Sequence, residues 1–381
     1  MFIKEAIQHY KYLHQFPELS NNEIETTKYI LKELETIPNI SIEKVDNNAL
    51  IVTLNPNKKL TVAFRADTDA LEIEENTQLP YSSKNEGVMH ACGHDFHTAN
   101  LIVFIKYLAQ QTINYTAKFI FQPNEETTPG GSVKIIQSKL VDDVDHFISL
   151  HVEPTYKVGQ VLIKKGDFYA STDDFSINLK GVGAHICTPD LGIDSLPPAL
   201  NIATYMPSTI LKRLNPLKLP LIAISSFTYG ANTHNVIHES ANIKGSIRAH
   251  DQEIRANSRA YLEQYVESIA STYQVSSKVE WQIGEPPLHN DETLSEDIVN
   301  YINNTQDKLK IEYILDLNYG GEDFSNYAVL KPSAYFIIGT HTENNYYDLH
   351  SDGVIINLEA FNYSLELFKQ ISNYFNQKAP Q

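Results

Sequence analysis

Five short runs, Ala49–Leu54, Leu60–Phe64, Ala117–Phe121, His146–Leu150 and Ala334–Gly339, are nearly continuous in apolar residues and bounded by turn residues. A strand with one wet face alternates apolar and polar positions, so runs like these read as strands covered on both faces. Helical periodicity lies between them near residues 98–111 and 131–140. It also covers most of residues 5–36, where Pro17 breaks the pattern and Ser20 and Asn21 restart it before Glu23, Glu25 and the apolar set Ile24, Leu31 and Leu34. Strands alternating with helices specify an α/β fold with a mixed central sheet flanked by helices.

Four of these runs lead into polar clusters. Leu60–Phe64 delivers Arg65-Ala-Asp67-Thr-Asp69, Ala117–Phe121 delivers Gln122-Pro-Asn-Glu125-Glu126, His146–Leu150 delivers His151, and Ala334–Gly339 leads to Leu349-His350. Sites in open α/β sheets form beyond the carboxyl ends of strands, so these clusters are placed to meet although they lie far apart in sequence.

Between them, Val88-Met-His90-Ala-Cys92-Gly-His94-Asp95-Phe-His97 packs three histidines, a cysteine and an aspartate into ten residues around a glycine. Thiolate and imidazole are donors that Zn²⁺ and its first-row neighbours hold well, and a Cys-x-His pair in a loop can aim both at one point. Packing alone would make Cys92 a small buried hydrophobe and leave the crowding of histidines a coincidence.

The candidate metal donors are Cys92, His94, one of the pair Glu125/Glu126, His151 and His350. Five donors exceed a closed four-coordinate zinc site, whereas a bridging thiolate or carboxylate lets them hold two divalent ions about 3.5–4 Å apart, the arrangement of metal-assisted hydrolysis. Glu126 is taken as the ligand and Glu125 as the base that removes a proton from water and hands it to a leaving amine. Two solvated turn carboxylates are the plain alternative. Asp67 either orients a ligating imidazole or the base, or pairs with Arg65. His90, His97 and Asp95 read as supporting groups, with Asp95 placed to cap the helix that follows it. Cys and His suit Zn²⁺, Co²⁺ and Ni²⁺, while carboxylate and imidazole also accept Mn²⁺.

From 174 to 287 the runs Asp174–Lys180, Leu221–Phe227, Ala241–Arg248 and Ser277–Ile283 alternate in polarity, with helical patterns near 193–213 and 251–273. This reads as a four-stranded antiparallel α+β domain inserted into the first, giving a metal-bearing domain of 1–173 and 288–381 and an insert of 174–287. A length of 381 residues suits two domains. In the insert, Gly181-Val-Gly-Ala-His185 and Gly230-Ala-Asn-Thr-His-Asn235, followed by Arg248, combine flexible backbone with groups suited to an oxyanion or carboxylate.

A net charge of −17 with 30 Lys and Arg disfavours binding to a phosphate backbone. No segment approaches the ~20 apolar residues of a membrane span, and the N-terminus lacks the apolar core and cleavage site of a signal peptide. Two cysteines are too few for a disulfide framework, so the expected location is the cytoplasm, with neither nucleic acid nor membrane as partner.

Taken in order, Leu13-His-Gln-Phe-Pro-Glu-Leu19, Arg65-Ala-Asp-Thr-Asp-Ala-Leu71, Met89-His-Ala-Cys-Gly-His-Asp95, Gln122-Pro-Asn-Glu-Glu126, Leu150-His-Val152, Asn235-Val-Ile237, Gly245-Ser-Ile-Arg248, Gly321-Glu-Asp-Phe324 and Leu349-His350 resemble one family over nearly the whole chain. It is the aminoacylase/carboxypeptidase group of two-metal amidohydrolases, which includes hippurate hydrolase, auxin-conjugate hydrolases and N-acetyldiaminopimelate deacetylase. The resemblance implies a metal-bearing domain with an inserted lid that often mediates homodimerisation, and two ions, Mn or Zn before Co or Ni. It places Cys92, His94, Glu126, His151 and His350 as metal ligands, Glu125 as base, Asp67 as its support, and His185, Asn235 and Arg248 towards substrate. The implied reaction is hydrolysis of an N-acyl amino acid. Pro129-Gly130-Gly131 resembles the diaminopimelate deacetylases of lysine biosynthesis, with broader aminoacylases or hippurate hydrolases and then dipeptidases as alternatives; a metal-binding protein without turnover is the contrasting reading. The family pattern is departed from at Thr68, usually Met, at His238, usually Pro, and at Ala184-His185-Ile186-Cys187.

Overall fold

The structure is a computed structural model describing residues 2–46, 48–305, 308–341 and 347–380. The chain divides into two compact units, one comprising Met1–Gly166, His289–Asp316 and Asp323–Gln381, the other Asp167–Leu288 and Leu317–Glu322.

The first unit is built on an eight-stranded mixed sheet, ordered Ile40–Val45, Ala49–Leu54, Thr116–Gln122, Thr61–Asp67, His146–Lys157, Ser333–His341, Val161–Ile163 and Ile311–Tyr313. Ala49–Leu54, Thr61–Asp67 and Thr116–Gln122 are buried at every position, which is why their sequences show no alternation. Thr116–Gln122, Thr61–Asp67, His146–Lys157 and Ser333–His341 are neighbours that run parallel, so their carboxyl ends emerge on one edge. The register sets their level: Asp67 lies opposite Gln122, and Arg65 opposite Ser149, two residues before His151.

Helix His94–Leu108 has 13 of its 15 residues buried, the pattern of a helix enclosed on all sides. Its Phe104 packs edge-on to Phe64 of the sheet at 4.9 Å between ring centroids, and Phe368 of helix Phe361–Lys378 closes the cluster at 5.3 Å from Phe64. These rings hold the body of the helix against the sheet, and at its start Phe96, two residues after His94, stacks on Phe361 at 3.8 Å.

Two expected helix starts differ in detail. Helix Ile24–Leu34 begins where expected, but Glu18 caps it, accepting from Glu25 N at 3.1 Å and Thr26 N at 2.8 Å, while Ser20 and Asn21 turn elsewhere. Asp95 lies inside the first turn of its helix, after Gly93, rather than capping it. One Asp95 oxygen accepts from Phe96 N and the other meets His14 Nδ1 at 2.6 Å, because His14 arrives from helix Phe2–Gln15 with a competing donor.

The second unit carries the four-stranded antiparallel sheet, ordered Leu221–Tyr229, Ser240–Arg248, Asp173–Lys180 and Ser276–Ile283, with helices Leu196–Leu211 and Gln252–Thr272. Ile177, Ile243 and Ile247 of the sheet are buried with Ile202, Met206, Leu262 and Val266 of the helices. Asp251 caps the second helix through Glu253 N and Ile254 N. Leu317–Glu322 joins this unit because Asn318 exchanges backbone hydrogen bonds with Phe168 and Ala170. Among the described residues no helix is long and apolar enough to cross a membrane.

Candidate metal centre

Gly93 is the pivot of the Cys92-Gly-His94 turn. It adopts φ +82°, and a Cβ there would sit 2.3 Å from Val152 Cγ2, so only glycine lets the turn approach the strand that carries His151. On that strand, His151 Nδ1 lies 2.6 Å from the Val152 carbonyl and donates to it, which leaves Nε2 as the lone-pair nitrogen, 3.5 Å from Cys92 Sγ. His350 arrives on a loop stitched to the same turn by its N–H to the Ala91 carbonyl, and its Nε2 lies 3.3 Å from Cys92 Sγ and 3.3 Å from Glu126 Oε1.

All five expected donors therefore converge. Cys92, His94 and His151 form one group of potential ligands and Cys92, Glu126 and His350 another, each with its donor atoms within 4.8 Å of one another. The Cys92 thiol is common to both groups. His94, Glu125 and Glu126 form a third such group, which sets the expected base beside two ligands.

Electrostatics favour a cation here. His94 Nε2 is buried without a hydrogen-bond partner, an arrangement that is unfavourable unless something fills it. Burial, and then the charges of Glu126, Glu125 and Asp67, push the Cys92 thiol well above its ordinary value. Burial opposes a charged His94, yet Asp67 and Asp69 outweigh it and lift this imidazole up to about 10. Both shifts favour the protonated forms because the surrounding carboxylates lack a balancing cation, which divalent ions would supply while ionising Cys92. The donor set fits such ions.

The supporting carboxylates divide the work in a way the sequence left open. Asp67 Oδ2 takes Arg65 at 2.6 Å, the pairing weighed as the alternative, and Oδ1 takes His97 Nδ1 at 2.6 Å, an imidazole outside the expected donor set. His97 Nε2 in turn accepts the Val152 N–H at 2.9 Å, next to His151. Asp69, which sequence reasoning missed, holds His94 Nδ1 at 3.1 Å and accepts from Glu126 N at 2.9 Å and Ser20 Oγ at 2.7 Å. The Asp-x-Asp spacing at the end of a strand was the available signal, because residues two apart share a face.

His185, Asn235 and Arg248 belong to the second unit. His185 pairs with Val236 in a two-stranded ribbon and Ile186 N donates to the Asn235 carbonyl, so His185 and Asn235 are neighbours and both exposed. Arg248 is half-buried at a strand end with Asp174 at 3.9 Å. Pro129-Gly130-Gly131 is explained by packing: a Cβ on Gly130 would meet Asp323 Oδ2 at 2.3 Å, and one on Gly131 the Pro123 carbonyl at 1.9 Å.

Residues 63–371 match the model of peptidase family M20/M25/M40. The chain is 33% identical over 348 residues to N-acetyl-L-cysteine deacetylase of Bacillus subtilis, covering 90% of this chain and 82% of that protein. It is 32% identical over 351 residues to N-acetyldiaminopimelate deacetylase of the same organism, covering 90% and 92%. It superposes with a TM-score of 0.86, at 29% identity and 99% coverage of both chains, on a dinuclear metal-binding peptidase of the M20 family from Bacillus subtilis.

Proposed function

This chain belongs to peptidase family M20/M25/M40, and from that premise we propose that it hydrolyses the amide bond of N-acyl amino acids with two divalent metal ions. The observation that carries the reading is the shared donor set: two triplets of ligands joined at Cys92, with Glu125 beside them. A site that merely staples a fold has no use for a base next to its ligands.

Cys92, His94, Glu126, His151 and His350 are the residues that would hold the ions. When bound, the pair supplies Lewis-acid polarisation of the amide carbonyl and makes water more acidic. The Glu125 carboxylate takes the proton of the attacking water as its oxygen bonds to the carbonyl carbon, then returns it to the leaving nitrogen as the C–N bond breaks. The products are a carboxylate and the free amino acid. Asp69 holds His94 Nδ1 so that Nε2 faces the centre, and Asp67 holds His97, whose Nε2 fixes the Val152 N–H beside His151. His185, Asn235 and Arg248 are assigned to the substrate, and the second unit to lid and dimer contacts.

Within this class, N-acetyl-L,L-diaminopimelate is the first substrate to test, as a step of lysine biosynthesis. A relative named N-acetyl-L-cysteine deacetylase supports N-acetylcysteine as a second. Mn²⁺ and Zn²⁺ are the first ions to load, then Co²⁺ and Ni²⁺. Parallel assays of N-acetyldiaminopimelate, N-acetylcysteine and hippurate separate the substrates; preference for hippurate over both acetyl compounds would contradict the deacetylase reading.

A further inference from the structure

The base-bearing turn is tied to a segment that the proposed chemistry does not use. Glu23 is fully buried, at 0% exposure, and lies 101 residues before Asn124 in sequence. Its Oε1 accepts the Asn124 N–H at 2.7 Å and its Oε2 accepts from Asn48 Nδ2 at 2.5 Å. Asn21 Nδ2 donates to Asn124 Oδ1 at 2.7 Å from the same segment.

Asn124 needs such support. It sits at φ +59°, in the left-handed region that a side chain enters reluctantly. Its carbonyl accepts from Gly131 N at 2.7 Å and its Nδ2 donates to the Pro129 carbonyl at 2.9 Å, so every polar atom of Asn124 is engaged. Two residues on, the Glu126 N–H is fixed to Asp69. Glu125 therefore lies between two pinned residues. The pin on its amino side is Glu23 with Asn21, and the pin on its carboxyl side is Asp69.

We propose that Glu23 is a positioning residue for Glu125, fixing through Asn124 the turn from which the base projects. The proposal rests on the reading of Glu125 as general base. Glu126 has its own anchor in Asp69, so loss of Glu23 disturbs the base more than the ligand. Burial, and then the charge of Asp69, push the Glu23 carboxyl up to about 7, so an ionised Glu23 is kept only where its two donors reward it.

The test compares Glu23→Ala, Glu23→Gln and Asn21→Gly with wild type and Glu125→Gln. Amide hydrogen exchange across residues 119–131 of metal-free protein reads the clamp without turnover, with helix His94–Leu108 as internal reference. Steady-state kinetics per metal-loaded molecule and chelator competition for metal read its consequence. Glu23→Ala is expected to speed exchange at 122–126 by about tenfold and lower kcat by about tenfold, with KM and metal affinity near wild type. Glu23→Gln keeps an acceptor for the Asn124 N–H, and Asn48 can turn its amide to suit, so kcat stays near wild type. Asn21→Gly preserves an exposed left-handed residue, φ +65°, and so tests the clamp even where Glu23→Ala does not fold; a smaller loss in the same direction is expected.

Unchanged exchange and kcat in Glu23→Ala and Asn21→Gly would overturn the proposal, as would equal losses in Glu23→Ala and Glu23→Gln. Failure of the amidohydrolase reading looks different, because wild type would then be as inactive as Glu125→Gln whatever the exchange shows.

Discussion

Replacing Asp69 with Asn changes one atom of a fully buried side chain and forces a choice on its neighbours. The Asp69 carboxylate serves three groups, His94 Nδ1 on one oxygen and Ser20 Oγ with Glu126 N on the other. Burial works against its ionisation, but the His94 contact and the other donors outweigh this and hold its pKa below the ordinary carboxylate value. An amide has one accepting oxygen. With that oxygen kept on Ser20 and Glu126, the NH₂ faces His94, Nδ1 must accept, and the ring proton moves to Nε2, the atom needed for metal. With the amide turned the other way, Glu126 loses its backbone anchor. Either outcome removes one charge-assisted hydrogen bond of about 1.5–3 kcal/mol, which at about 1.4 kcal/mol per decade is a ~10- to 100-fold loss of metal affinity. Chelator competition on metal-stripped Asp69→Asn reads this directly, with circular dichroism confirming the fold. Metal affinity equal to wild type would refute the assignment of Asp69 as the support of His94.

Glu125→Gln should retain both ions while turnover falls by about 10²–10⁴-fold, seen as full metal content with almost no amino acid released. His14 gives a prediction on pH. Burial disfavours its charge, but Asp95 at 2.6 Å and Glu75 at 3.3 Å outweigh it and raise its pKa from 6.5 to about 9 in the folded state. Because the folded value is the higher one, this contribution is full below pH 6.5 and is lost as pH rises through about 9; a rise of about 2.5 units is worth ~3 kcal/mol. Denaturant unfolding of metal-free protein should therefore show wild type losing more stability than His14→Gln between pH 6 and 9.5, as pH crosses both values; parallel losses would contradict it. Gly93→Ala should destabilise the fold and weaken metal binding together, since both the φ of +82° and the 2.3 Å approach to Val152 exclude a side chain; unchanged melting and affinity would count against the pivot.

The strands, and the donors that the fold brings together, were legible because their signals are local. Uninterrupted apolar runs marked doubly covered strands, and the polar residues directly after them marked one sheet edge. That rule pointed to the Glu125/Glu126 pair, His151 and His350, while Cys92 and His94 stood out by the crowding of His and Cys around Gly93. The supporting residues were not legible in the same way. Ser20, Asn21 and Glu23 carry the composition of a helix start, and nothing nearby tells that Asp69 and Asn124 compete for them. His14 likewise reads as a helix-end basic residue until the fold brings Asp95 from 81 residues away. Arg65 meets Asp323 across 258 residues at 2.6 Å, a separation that no local pattern spans. Leu317–Glu322 joins the second unit through backbone bonds, which leave no trace in hydrophobic pattern.

The central claim is metal-dependent amide hydrolysis at the Cys92 centre. Metal-stripped protein should be titrated with Mn²⁺ or Zn²⁺ while release of free amino acid from N-acetyldiaminopimelate, N-acetylcysteine and hippurate is followed. The account predicts no release without metal, a rise to a plateau at about two ions per chain, and none of this in Glu125→Gln. Tight metal binding without release from any of the three, with any of the ions, would contradict it.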